Sequence, residues 1–234
     1  MFAVVGVFDG IHLGHAYLLE HLVREAAARD ARPTVITFDH HPDEVLTGHA
    51  PPLLLHPDER LERLASAGVE VTVVVHFDET VRHTPYDRFI ESIRARTALA
   101  GLLMTPDAAF GFERQGTPKA LAALGARDGF DVVVVPTFEL DGRSVRSSDI
   151  RAAIEAGELD RAGALLGRPV RLRGELTDVD GVVRFDWPLA LPPDGDYACL
   201  ADGAPTTLTL AAGRAQLGGA SRAGRGPVEI TLRG

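Results

Sequence analysis

The chain has 234 residues, enough for one large domain or for a main domain with a small appendage. Its formal net charge of −9 argues against general nucleic-acid binding, and Lys119 is the only lysine, so an anionic ligand must meet arginines, histidines and backbone N–H groups. Cys199 is the only cysteine, which excludes an internal disulfide and fits a reducing compartment. No apolar run has the length of a membrane span, and no signal peptide is visible. We therefore expect a cytoplasmic protein without membrane or nucleic-acid partners.

Five short apolar runs predict the strands of one parallel sheet, because they are continuous rather than alternating, as in strands buried on both faces. Helical patterns lie between several of them. This alternation predicts an α/β fold with a doubly wound parallel sheet and right-handed crossovers. The predicted strands are Phe2–Val7, Thr34–Phe38, Val71–Phe77, Gly101–Met104 and Val132–Pro136, and the predicted helices are Tyr17–Arg29, Pro57–Ala67, Asp87–Thr97, one from Ser147 to about Gly157, and Leu159–Leu166.

A turn and a pair of histidines follow the first predicted strand. Asp9 and Gly10 form the turn dipeptide, and His12 and His15 stand three apart around Gly14 where a helical pattern opens. Residues three apart share a helix face, and a helix N-terminus offers free N–H groups and a positive dipole end, so two imidazoles there suit a phosphate. Two alternatives are surface histidines on a capped helix, and a zinc pair, which lacks a cysteine cluster or a third spaced ligand.

This stretch resembles the HxGH signature of the nucleotidyltransferase superfamily, and its longer form from Gly6 to His15 is similar to the bacterial FAD synthetase family. That family joins an FMN adenylyltransferase module to a riboflavin kinase module. The resemblance implies a Rossmann-like nucleotidyltransferase domain over residues 1–168, in which the two histidines stabilise charge on the transferred and leaving phosphates. The nucleotide-binding residues that it implies here are Gly6, Phe8, Asp9, Gly10 and Gly14, with His12 and His15 as catalytic residues.

Two serines and an arginine follow the fifth predicted strand. Ser147 and Ser148 are good N-cap residues, and Arg151 would then be an exposed helix arginine. The segment also resembles the second signature of the family, Ser-Ser-Thr-x-Ile-Arg. The resemblance implies that the serines bind the ATP phosphates and that Arg151 is a catalytic residue at their β/γ end. Arg146 replaces a serine of that pattern, and Asp149 replaces an often basic residue and would repel a triphosphate that it faced.

Two further segments resemble the family's acceptor side. Thr37–Pro42 is similar to Thr-Phe-x-Pro-His-Pro, with His40 in place of the first proline. Asp107–Gly111 and Arg114–Gly116 are similar to the family's Asp-Phe-Arg-Phe-Gly and Arg-x-Gly loop, with Ala108 and Ala109 in place of an aromatic residue and an arginine. The alternative for the first segment is that its histidines are solvent-exposed loop residues, and the alternative for the second is a mobile loop bounded by glycine and proline. The FMN-binding residues that the resemblance implies are Thr37, Phe38, His41, Asp107, Phe110 and Arg114.

Beyond Val170 the helical periodicity disappears. Alternating patterns such as Thr207–Ala211 and Val228–Leu232 predict a small antiparallel β domain over residues 169–234. It resembles a shortened form of the family's riboflavin kinase barrel, but no Pro-Thr-Ala-Asn motif, which in the family helps to hold Mg-ATP, occurs downstream. We therefore expect no riboflavin kinase activity.

The resemblance as a whole implies transfer of AMP from ATP to FMN with release of pyrophosphate. Mg²⁺ would accompany ATP as co-substrate, and no all-protein metal site is expected. Two alternatives remain: a nucleotidyltransferase that uses another phosphorylated acceptor or CTP, and a nucleotide- or flavin-binding protein that has lost turnover. The sequence makes no prediction of oligomeric state.

Overall fold

The structure, a computed structural model, describes residues 1–177, 181–218 and 226–233. The chain divides into two compact units, one of Met1–Pro51 with Leu61–Ser144 and the other of Pro52–Arg60 with Val145–Gly234. The boundary at residue 168 separates an adenylyltransferase-like domain from a kinase-like domain, and it stays a prediction.

The first unit is built on a five-stranded sheet in the order β3-β2-β1-β4-β5, with every neighbouring pair parallel. This confirms the predicted α/β class. The strand order reverses beside β1, so the loop that leaves the carboxyl end of β1 lies at the topological switch point, where ligands bind in such sheets. The strands are β1 (Phe2–Val5), β2 (Pro33–Phe38), β3 (Val71–Val75), β4 (Gly101–Met104) and β5 (Asp131–Val134).

Burial follows strand position in the sheet. Every residue of β2 and β4 is buried, and β1 is buried up to its last residue. The expectation of burial on both faces is wrong for β3 and β5, where Val73, Val74 and Val134 are exposed. These two strands are the edges of the sheet, so each has a strand neighbour on one side only.

The predicted helices are present, with ends shifted by a few residues in all but the last, and the described residues include three helices that were not predicted. One of these, between β4 and β5, carries ordinary boundary signals: the Thr117 hydroxyl accepts the N–H of Ala120, Pro118 is the first helical residue, and Gly129 ends the helix at a φ of +80°. The helices up to β5 are α1 (Leu13–Ala27), α2 (Pro42–Thr47), α3 (Pro57–Ser66), α4 (Glu79–Arg82), α5 (Tyr86–Arg94) and α6 (Pro118–Asp128), with a 3₁₀ turn at Phe112–Arg114. The turn at Asp141 and Gly142 joins the two-stranded β6 (Glu139–Leu140) and β7 (Arg143–Ser144).

The second unit contains α7 (Ser147–Glu155), α8 (Leu159–Leu166) and a closed antiparallel barrel in the strand order β10-β11-β12-β9-β8-β13. The expected antiparallel β domain is therefore confirmed. Its alternating strands direct Leu172, Cys199, Leu208 and Ile230 into the buried interior. The barrel strands are β8 (Arg171–Leu176), β9 (Val182–Arg184), β10 (Gly195–Ala201), β11 (Ala204–Ala211), β12 (Arg214–Leu217) and β13 (Gly226–Leu232). Among the described residues of both units, no helix combines the length and the apolar character that crossing a membrane requires.

Candidate functional site

The two histidines lie side by side at the start of α1. His12 is the N-cap residue, and its Nδ1 accepts the backbone N–H of His15 at 3.3 Å. The two rings are stacked, with centroids 3.7 Å apart and planes 17° from parallel. Because Nδ1 is used as an acceptor, the proton of a neutral His12 ring is on Nε2, which can donate to an anion. The structure thus starts the helix four residues earlier than predicted and places both imidazoles at its N-terminal end.

The loop between β1 and His12 has an unusual backbone. Phe8, Gly10 and Ile11 all have positive φ, of 54°, 88° and 37°. Phe8 and Asp9 are nevertheless almost fully buried, and the Phe8 ring packs against His15 with centroids 5.0 Å apart. Non-glycine residues held at positive φ are strained, and such strain is common where a loop is fixed for function.

Gly6, the first residue of that loop, is held against β2. Its N–H donates to the carbonyl of Ile36 at 3.0 Å, and a Cβ on Gly6 would come within 3.0 Å of the Phe8 ring. The Thr37 hydroxyl, which is fully buried, donates to the carbonyl of Val7 at 3.0 Å. The end of β2 therefore fixes the loop that leads to the histidines. Gly14 lies inside the first turn of α1.

A cavity of about 790 Å³ opens beside this loop, within the size range of small-molecule sites. Its walls are mostly apolar and aromatic, and two arginines, Arg82 and Arg114, reach it. Such a lining suits a flat aromatic ligand that carries an anionic group. Aromatic residues of the lining are Phe38, Phe77, Phe89, Phe110 and Phe112.

Of the six predicted acceptor residues, three line this cavity: Phe38, Phe110 and Arg114. The other three do not. Thr37 is buried behind the loop as described, the His41 Nδ1 caps α2 by accepting the N–H of Asp43, and Asp107 accepts the hydroxyl of Thr105 at 2.8 Å. Their positions favour roles in shaping the loops around the cavity.

The loop after β4 is closed on itself. Phe110 and Gly116 form an isolated antiparallel bridge, with N···O distances of 3.4 and 2.9 Å. A Cβ at Gly116 would lie 2.6 Å from the carbonyl oxygen of Phe110, and one at Gly111 would meet the backbone of Tyr86. Ala109 lines the cavity, whereas Ala108 packs against the core of the sheet. The bridge and the close packing at the glycines hold this loop in place, and the loop forms part of the cavity wall.

The second predicted phosphate element lies on α7, in the second unit. Arg146 occupies the N-cap position and makes no side-chain cap hydrogen bond, so the alternative that the serines cap this helix is wrong: Ser147 and Ser148 are its first two helical residues. Asp149 is exposed in the same turn. One turn further, the Arg151 Nε donates to the carbonyl of Pro52 at 2.8 Å, which holds the guanidinium in a defined place.

Sequence reasoning missed part of the cavity wall. Leu46 on α2, and Val81 and Arg82 on α4, all line it. A signal for α4 was present, because Asp78 is an N-cap residue whose carboxylate accepts the N–H of Val81 at 2.8 Å. The contribution of α2 and α4 to one cavity depends on their packing and has no counterpart in local sequence.

The strand order and the strand–turn–helix after β1 define the class: a doubly wound α/β protein whose ligand site is expected at the switch point of the sheet. The chain belongs to the FAD synthetase family, whose model matches residues 1–149. This family membership agrees with the resemblance carried by the two histidines and by the segments after β2 and β4.

Curated relatives are named bifunctional riboflavin kinase/FMN adenylyltransferase. That of Haemophilus influenzae is 34% identical over 174 residues, which are 74% of this chain and 56% of the relative. That of Pseudomonas fluorescens is 31% identical, with shares of 74% and 56%, and that of Escherichia coli is 29% identical over 232 residues, with shares of 98% and 74%. The matched part thus spans little more than half of the first two relatives.

The fold resembles that of a solved structure over almost the whole chain. A Streptococcus pneumoniae protein named as a macrolide-efflux protein superposes with a TM-score of 0.85 at 22% identity, over 99% of this chain and 84% of that one. At this identity the similarity concerns the fold alone.

Proposed function

We propose that this protein is an FMN adenylyltransferase, which transfers AMP from ATP to FMN and releases pyrophosphate. The observation that carries the proposal is the stacked pair of His12 and His15 at the N-terminus of α1, at the switch point of the sheet, in a chain of the FAD synthetase family. The names of the curated relatives support the same activity.

The chemistry needs positioning and charge stabilisation more than a protein nucleophile. An oxygen of the FMN phosphate attacks the α-phosphorus of ATP, the bond from that phosphorus to the bridging oxygen breaks, and pyrophosphate leaves. The Nε2–H of His12, the imidazole of His15 and the N–H groups at the start of α1 would donate to the oxygens on which negative charge develops. The loop from Gly6 to Ile11, which is buried from Phe8 onward, would hold these donors in place before the substrates arrive.

The residues of α7 are proposed to bind the β/γ end of ATP. Ser147 and Ser148 stand at the helix N-terminus, where hydroxyl and N–H groups both favour an anion, and the guanidinium of Arg151 is already fixed by the carbonyl of Pro52. Mg²⁺ would enter on the phosphates of ATP and keep several of its waters, so it belongs to the substrate.

The cavity beside the loop is proposed to hold the acceptor. Its five phenylalanines offer ring faces and edges to an isoalloxazine, and Arg114 offers a cation. Ala109 leaves one wall without the arginine that the family pattern has there, which favours a second candidate function: adenylyl or cytidylyl transfer to a different phosphorylated acceptor.

A substrate panel tests the proposal. The full chain is incubated with MgATP or MgCTP and with FMN or other phosphorylated acceptors, with riboflavin as a control that has no phosphate, and pyrophosphate release is followed. We expect multiple turnovers with ATP and FMN. Pyrophosphate release only with another acceptor or with CTP would establish the second candidate, and binding without any turnover would identify a protein that has lost catalysis.

We further propose that the chain lacks riboflavin kinase activity, because no Pro-Thr-Ala-Asn motif occurs in it. Glu229 is the only glutamate after Glu175, and its carboxylate forms an ion pair with Arg171 on the neighbouring barrel strand at 3.0 Å. A structural ion pair accounts for this residue without a catalytic role. Riboflavin with MgATP should therefore give no FMN above background. We further propose a cytoplasmic location and small-molecule partners only, in keeping with the lone Cys199 and the negative net charge.

A further inference from the structure

A cluster of three metal-ligating side chains lies where β2 and β3 end, outside the residues assigned to phosphates or acceptor. The side chains are those of Asp39, His40 and His76, and one ligand atom from each lies within 4.8 Å of those from the other two. Because β2 and β3 are parallel neighbours, with Phe38 opposite Val75, the residues that follow these strands meet at the same edge of the sheet.

The carboxylate of Asp39 is oriented by the backbone. Its Oδ1 accepts the N–H of His40 at 2.8 Å and the N–H of Phe77 at 3.1 Å. Its Oδ2 contacts the Nδ1 of His76 at 2.6 Å, and the Nδ1 of His40 lies 3.2 Å from Oδ1. Carboxylates that bind a metal ion in proteins are commonly held by hydrogen bonds of this kind.

Two ligands of tetrahedral zinc, each about 2.1 Å from the metal, stand about 3.4 Å apart. The 3.2 Å between the His40 Nδ1 and the Asp39 Oδ1 is close to that spacing, whereas the 2.6 Å between the His76 Nδ1 and the Asp39 Oδ2 is a hydrogen-bond distance that must lengthen when an ion enters. Both histidines are partly exposed, with 41% of the His40 side chain and 69% of the His76 side chain accessible to solvent, so small rotations suffice to admit a cation.

We propose that Asp39, His40 and His76 bind a divalent transition-metal ion, with zinc as the best match to two imidazoles and one carboxylate. Three protein ligands leave at least one position for water. Mg²⁺ is excluded by the same chemistry, because it prefers an octahedron of oxygens. The site is therefore distinct from the magnesium that accompanies ATP.

The bound ion would fix one side of the cavity. Phe38 precedes Asp39 and Phe77 follows His76, and both phenylalanines line the cavity with their rings 5.1 Å apart. A metal that joins the ends of β2 and β3 would hold this aromatic pair in place. The assignment of an acceptor to the cavity rests on the proposed function, but the metal site itself does not.

Titration of the metal-free full chain with Zn²⁺, in buffer with excess Mg²⁺, tests the proposal without nucleotide or flavin. Calorimetry should give one site per chain. Co²⁺ should bind at the same place with the visible absorption of a low-coordinate nitrogen–oxygen site. Loss of an outer partner of a metal ligand typically weakens affinity 10–100-fold, so His40→Ala and His76→Ala should each weaken zinc at least about tenfold.

Three further variants test whether zinc binds at this cluster rather than at other histidines. Asp39→Asn keeps an oxygen acceptor for the two backbone N–H groups but lacks the charge, and it should also bind zinc weakly. His49→Ala removes an exposed histidine elsewhere, and His12→Ala removes one at the phosphate site; both should bind zinc as the parent does. Absence of stoichiometric zinc binding, or binding that His40→Ala and His76→Ala leave unchanged, would overturn the proposal. If the parent chain binds zinc at this site but forms no FAD, the result contradicts the proposed activity and leaves the metal site unaffected.

Discussion

The N-cap role of His12 allows its structural and catalytic contributions to be separated. In His12→Ala, the N–H of His15 loses its acceptor, which costs about 1 kcal/mol by analogy with other N-caps, and a buried imidazole is removed as well. In a chain of this size each kcal/mol lowers the thermal midpoint by about 2–4 °C. In His12→Asn, the amide oxygen still accepts that N–H, because asparagine is among the best N-cap residues.

Both variants lose the Nε2–H donor. Loss of one preorganised donor at developing charge costs about 3 kcal/mol, a factor of 10²–10³ in kcat. We expect His12→Ala to lose both stability and turnover, and His12→Asn to lose turnover at least about 10²-fold while its midpoint stays within a few degrees of the parent.

The assay is FAD formation from MgATP and FMN, separated by chromatography, beside thermal unfolding of the same preparations. Removal of the stacked ring in His15→Ala should lower kcat to a similar extent. If His12→Asn keeps near-parental turnover, the histidine serves only as a helix cap and its catalytic role is refuted.

Four further predictions follow from individual contacts. Arg151→Ala should weaken ATP binding more than AMP binding, because the guanidinium is assigned to the β/γ end; equal losses by calorimetry would contradict that assignment. Ala109→Arg should tighten FMN binding by about 0.5–2 kcal/mol through a cation at the cavity wall, measured by fluorescence quenching, whereas Ala108→Phe, placed against the core, should destabilise the fold instead. Gly116→Ala should destabilise the first unit, since its Cβ would meet the Phe110 carbonyl at 2.6 Å, and an unchanged thermal midpoint would show that the loop can shift. In the metal-free protein, hydrogen bonding to Asp39, with help from its charge and that of Asp78, should raise the pKa of His76 above that of an ordinary exposed histidine; NMR titration should show the pKa fall in Asp39→Asn.

The parts of the fold that the sequence predicts are those with strong local signals. Continuous apolar runs mark β1 to β5, and capping and glycine signals bound α8 correctly at Leu159–Leu166. The edge position of β3 and β5 was missed, because apolar runs look alike whether a strand has one neighbour or two. The helix α6 was missed although Thr117, Pro118 and Gly129 are ordinary boundary residues for it.

The candidate site likewise has a part with local sequence signals and parts that depend on tertiary structure. The histidine pair is local, so its placement at the start of α1 follows from the turn and the helical pattern after it. The cluster of Asp39, His40 and His76 is not local: 37 positions separate Asp39 and His76, and only the parallel pairing of β2 with β3 brings them together. The cavity wall from α2 and α4 likewise results from packing.

Labelled ATP gives the most direct test of the central claim. With ATP labelled at the α-phosphorus, FMN and Mg²⁺, the label should appear in FAD, and with ATP labelled at the γ-phosphorus it should appear in pyrophosphate, in equal molar amounts. Label that remains in ATP, or that passes from the γ-position to inorganic phosphate or to the acceptor, would contradict adenylyl transfer to FMN.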